Sequence, residues 1–169
     1  MSAENKSVSA IPSELLGTPA YYQWRHNDFT TRNSNVAAPD YYLKYGFKYA
    51  QKFQNETSNR LSVQGQKWVG EVMANLQMLM ENRLSQQDGA EFERNAQAFK
   101  DFAFSSHVEA YWNENGTAPL YTLTFTDLFR ILFTPDFRDV IRAKSLSQIV
   151  TIMGKLVRFR FSQFVIRKK

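Results

Sequence analysis

Two side chains carry most of the chemistry this sequence offers. His107 lies in Phe104-Ser-Ser-His-Val-Glu-Ala-Tyr-Trp112. Imidazole titrates near neutrality, which suits it to shuttle protons. Glu56 lies in Gln54-Asn-Glu-Thr-Ser-Asn59, next to a helix rich in tyrosine. A carboxylic acid in an apolar pocket holds its proton to higher pH and acts as a general acid. Glycoside hydrolysis needs such an acid with a second carboxylate facing it. Asp40, Glu71 and Asp136 are the candidates for that partner. The expectation is therefore Glu56 as acid and His107 as orienter or shuttle. Tyr45, Tyr49, Asn55, Tyr111 and Asp136 would hold the substrate. Each has a plainer alternative: Glu56 bracketing a helix end, and His107 bonded to a neighbouring carboxylate or hydroxyl.

Other site chemistry is missing. There is no phosphate-cradling glycine loop and no dinucleotide fingerprint. The chain has no cysteine and only two histidines, His26 and His107, so neither a disulfide nor a recognisable zinc cluster is expected. No metal and no cofactor is expected. A Ser-His-Asp triad stays open, since geometry rather than spacing defines it.

Charge adds a second theme. Lys and Arg total 21 against 16 Asp and Glu, a formal net charge of +5. The excess gathers towards the C-terminus, where Arg158, Arg160 and Arg167 alternate with Phe159, Phe161 and Phe164. Such a run points to an anionic partner, an anionic polymer or an acidic protein. Arginine interleaved with aromatic rings also suits single-stranded nucleic acid or a membrane surface, but the favoured expectation is that Phe159, Phe161 and Phe164 pack against the core and leave Arg158, Arg160 and Arg167 exposed. No apolar stretch is long enough to span a membrane, and the first residues lack the apolar core of a signal peptide. The expectation is synthesis in the cytoplasm, with any export by a signal-independent route.

The elements that must position these residues read as helices. Residues 1–38 are polar and punctuated by Pro12, Gly17 and Pro19. They form an expected extension, partly docked through Tyr21, Tyr22, Trp24 and Phe29. Asp40 opens a helix whose Tyr42, Tyr45, Tyr49 and Phe53 share a face. Ser62 caps a helix over about 63–86 carrying Trp68, Val72, Leu76, Leu79, Met80 and Leu84. A third helix spans about 89–113. Residues 119–126 alternate enough to suggest a short strand, and Thr124 or Thr126 caps a short helix beyond it. Pro135 and Ser145 would open two more helices. The fold class is all-α: a single compact domain of five or six helices over residues 39–169, with a basic tail and room for one short strand pair.

Three stretches resemble a poorly characterised family of small, mainly bacterial proteins. They are Tyr45-Gly-Phe-Lys-Tyr-Ala-Gln-Lys-Phe-Gln-Asn-Glu-Thr57 leading to Leu61-Ser-Val-Gln-Gly-Gln-Lys-Trp-Val69, then Phe104-Ser-Ser-His-Val-Glu-Ala-Tyr111, then Leu132-Phe-Thr-Pro-Asp136. The resemblance covers about residues 39–142 and implies an exported, envelope-directed effector with a secretion or immunity partner. The stated expectation is a peptidoglycan glycan hydrolase with its acid in an aromatic-lined cleft. The alternatives are a non-enzymatic binding domain for an acidic partner and a nucleic-acid-binding domain.

Overall fold

A computed structural model describes residues 7–134 and 151–159. It is all-α: the described residues form seven helices and no strand. Helix α1 is Ala20–Arg32. Helix α2 runs without interruption through Tyr41–Phe47, Lys48–Lys52 and Phe53–Thr57, and its first and last segments are π-helical. Helix α3 is Val63–Leu84, α4 is Gly89–Arg94, α5 is Ala96–Trp112 and α6 is Phe125–Leu132. Residues 151–159 are also helical and form α7.

The docked part of the N-terminal segment is a full member of the core. Tyr21, Tyr22, Arg25 and Phe29 fall on one face of α1 and are buried. The polar composition of this helix hid it, because its buried face is built partly from Arg25. That guanidinium, only 1% exposed, donates through Nε to Glu81 Oε1 at 2.7 Å, and its Nη2 pairs with Glu81 Oε2. The Tyr21 hydroxyl donates to the same carboxylate at 2.6 Å. Upstream, Gly17 turns the chain at a φ of +78°, where a side chain would be strained. Its N–H donates to Gln77 Oε1 at 2.6 Å, and Gln77 Nε2 donates to the Thr18 carbonyl at 2.8 Å. One buried amide thus fixes the entry to α1.

Helix α3 forms as expected. Ser62 Oγ accepts from Gly65 N at 3.1 Å, and Trp68, Val69, Val72, Met73, Met80 and Leu84 point inward. The expected third helix is two. Asn95 leaves helical geometry at ψ 87° and caps α5 with its own side chain, which accepts from Ala98 N at 3.0 Å. The local hydrogen bond of an asparagine beats continued helix there. Helix α5 ends at Asn113 in the left-handed conformation, φ 51°, a common stop for this residue. The expected strand near 119–126 is instead a 3₁₀ turn, Leu120–Thr122, followed by α6 with Thr124 as its cap. Helix α6 buries Ile131 and leaves Phe129 and Phe133 exposed, their rings 4.4 Å apart. The expected helix starts at Pro135 and Ser145 lie outside the described residues.

Glycines test how closely the helices pack. An ideal Cβ on Gly46 would stand 2.5 Å from Tyr22 Cε1 and 2.9 Å from Cγ. Tyr22 is buried and held edge-on by Tyr21 and Tyr41, so its ring cannot retreat. Gly46→Ala is expected to lose about 1–3 kcal/mol to overpacking, against about 1 kcal/mol of helix propensity gained. Gly70, with no atom within 4 Å of the same construction, should gain the propensity alone. Urea midpoints should therefore fall for Gly46→Ala and rise for Gly70→Ala. The reverse order would contradict the close contact between α1 and α2.

Candidate functional site

The helices do not close completely. Between α2, α3, α5, α6 and α7 lies a partly open cavity of about 170 Å³. Helix α2 supplies Tyr41, Tyr45, Gly46, Tyr49, Ala50 and Phe53, and Tyr22 of α1 backs them. Helix α3 supplies Trp68, Val69, Val72, Met73 and Leu76; α5 supplies Phe104, His107 and Tyr111. Leu120 of the 3₁₀ turn, Leu128, Ile131 and Leu132 of α6, and Ile152 and Met153 of α7 complete the described lining. The spacing of the α2 residues places them here: 41, 45, 49 and 53 repeat every four, and the π-helical turns of that helix hold them in line.

Four of the expected site residues meet in this cavity: Tyr45, Tyr49, His107 and Tyr111. His107 Nδ1 lies 2.6 Å from the Ala103 carbonyl oxygen one turn back. A carbonyl can only accept, so Nδ1 carries the hydrogen and Nε2 has its lone pair free. The ring stacks near Phe104, centroids 5.8 Å apart at 27°, and meets Tyr111 edge-on at 5.2 Å. Burial lowers its pKa to about 4, outweighing the bonds to the Ala103 and Phe104 backbone that raise it. The imidazole is therefore neutral at neutral pH. Burial also raises the hydroxyls of Tyr22, to about 12, and of Tyr41 and Tyr111, so none is a phenolate there.

The carboxylates stand elsewhere. Glu56 is exposed, as is Asn55, because the same turn of α2 points Phe53 and Thr57 inward. Thr57 Oγ1 meets Thr134 Oγ1 at 2.8 Å, which fixes that orientation. The expectation of Glu56 in an aromatic-lined cleft is thus corrected by helix geometry: the carboxyl faces away from the cavity three residues past Phe53. Of its expected partners, Asp40 is exposed and pairs with Lys44 at 2.7 Å. Glu71 accepts from Asn113, Thr117 and Ala118. Asp136 lies outside the described residues, as do Arg160 and Arg167; Arg158 is exposed on α7. No carboxylate lines the cavity among the described residues.

Buried carboxylates instead tie the helices together, and sequence reasoning missed them. Asp127, 1% exposed, accepts from Ser62 N at 2.8 Å, Ser62 Oγ at 2.6 Å and Thr124 Oγ1 at 2.8 Å. Burial works against the charges of Asp28, Glu71 and Asp127, but the hydrogen bonds they accept outweigh it and hold all three below the usual carboxylate range. Their stabilisation is present above the unfolded-state pKa and is lost as pH falls through the lower folded one. His107 acts earlier. Its folded pKa lies near 4 and its unfolded value near 6.5, so between those limits the unfolded chain binds the extra proton. Stability should decline as pH drops from about 6.5 towards 4, before the carboxylates contribute. Urea midpoints at about pH 7.5 and about pH 5 should differ less for His107→Phe than for the unmutated protein. Equal differences would place His107 in water.

The chain matches no protein-family model, no curated protein and no solved structure.

Proposed function

We propose that this chain is a binding domain whose pocket takes a compact, mainly apolar molecule about the size of one aromatic ring. The observation that carries this reading is the cavity of about 170 Å³ walled by aromatic and aliphatic side chains, in which four independently expected site residues converge. A cavity of about 150 Å³ with apolar walls admits benzene, so the size suits a single ring. Apolar pockets with a few polar groups are the usual form of small-molecule sites. The π-helical segments of α2 support the same reading, since such segments recur at functional sites. The walls of the described lining are mainly apolar, which favours a binding role.

The test is ligand-observed NMR with toluene and indole on the whole chain, together with methyl spectra of Met73 and Met153, both of which line the cavity. Saturable binding that shifts those two methyls ahead of Met78, which is exposed, is expected. Absence of binding by either probe would remove the proposal. A second reading, contact with an anionic polymer or acidic protein, is supported by Lys155 and Arg158, exposed one turn apart on α7. It requires binding to a polyanion that weakens steeply with salt and drops on Lys155→Glu/Arg158→Glu.

A further inference from the structure

We infer that the pocket selects a single-ring aromatic molecule bearing a hydroxyl or N–H donor, and that His107 Nε2 is the atom that accepts it. This rests on the pocket being a ligand site, as proposed above.

The geometry narrows the ligand in three steps. First, the acceptor is fixed. Nδ1 is committed to the Ala103 carbonyl, and the flanking rings of Phe104 and Tyr111 set the plane of the imidazole. Among the described residues no hydrogen bond is made by Nε2, across the ring. Second, that atom is accessible. Among the described residues the buried side-chain polar atom without a partner is Arg32 Nη1, far from this lining. Nε2 therefore borders open space, and His107 lines the cavity. Third, an apolar guest would cover that lone pair and leave it unsatisfied, at a cost of about 1–3 kcal/mol. A donor on the guest removes the cost. At neutral pH the uncharged imidazole can only accept through Nε2, so a ligand carrying only acceptors gains nothing from it. Tyr111, one turn further along the same helix, also lines the cavity. The remaining walls are aliphatic side chains and aromatic residues, several of them tyrosines, and the aromatic rings favour a flat ring by edge and face contact.

Phenol and toluene are nearly the same shape and differ in the donor alone. Their affinities for the unmutated chain and for His107→Phe should be measured by titration NMR. The expected result is a three- to ten-fold loss of phenol affinity in the variant with toluene changed less than two-fold, the size of one hydrogen bond. In the unmutated protein, phenol but not toluene should move the His107 Nε2 nitrogen resonance, and this second readout decides the matter should the variant fail to fold. Equal losses for both ligands, or an Nε2 resonance indifferent to phenol, would overturn the inference while leaving a purely apolar pocket in place. Failure of both ligands to bind the unmutated chain would remove the pocket reading itself.

Discussion

Glu93→Ala should cost about 3–5 kcal/mol of stability, the range for breaking a buried ion pair by removing one partner. Glu93 is fully buried. Its Oε2 accepts from Arg32 Nη2 at 2.6 Å and its Oε1 from the Tyr42 hydroxyl at 2.5 Å. Removal strands the phenol of Tyr42 and leaves Arg32, 5% exposed, with Asp28 alone. Among the described residues Arg32 Nη1 already lacks a partner, so the loss adds to a deficit that the buried guanidinium carries from the start. Glu93→Gln keeps an acceptor for Tyr42 and should lose less. Replacing both Arg32 and Glu93 by methionine removes the charges together, and should cost far less than the two single changes added. Urea unfolding with unchanged slope would measure all five variants, the two single methionine changes included. A loss under about 1 kcal/mol for Glu93→Ala would mean that water reaches the pair.

Trp68→Ala is expected to cost a similar amount, about 3–5 kcal/mol, by a different route. Trp68 is 1% exposed, packs edge-on against Tyr111 with centroids 5.4 Å apart and donates from Nε1 to the Tyr111 carbonyl at 3.0 Å. It also forms part of the cavity wall. Truncation therefore joins the lost volume to a space that already exists. Added indole should raise the melting temperature of this variant more than that of the unmutated chain, because it refills the vacated place and binding to the folded form alone is stabilising. Equal shifts in both proteins would show that the structure collapses into the gap.

The helices most legible in the sequence were those whose signals are local. Ser62 followed by a regular apolar run specified α3 to within two residues. The four-residue repeat of Tyr45, Tyr49 and Phe53 specified the inner face of α2, and through it one wall of the pocket. His107 and Tyr111, four residues apart and singled out in the sequence, both line the cavity. Glu56 was misplaced for a physical reason. An apolar neighbourhood in sequence does not become one in space when the intervening turn rotates the carboxyl outward. The ion pairs of α1 were invisible because Arg25 and Glu81, or Arg32 and Glu93, lie 56 and 61 residues apart, and nothing local marks an arginine that will be buried. The division of the third helix turned on Asn95 alone, whose side chain competes with its own backbone.

The wide separation of those charge pairs bears on the order of assembly. Helix α1 precedes every group that neutralises its inward arginines except Asp28. It cannot settle until α3 and α4 exist, since an arginine sheds its hydration only for a partner already waiting. Closing loops of that length is slow, so docking of α1 belongs to the downhill side of the folding barrier. Changes such as Arg25→Met should then quicken unfolding and leave the refolding rate nearly untouched. Because α1 also backs the pocket through Tyr22, a nascent chain acquires the proposed ligand site only at this last step, and a guest that binds there would act as a latch on the finished molecule rather than as a template for it.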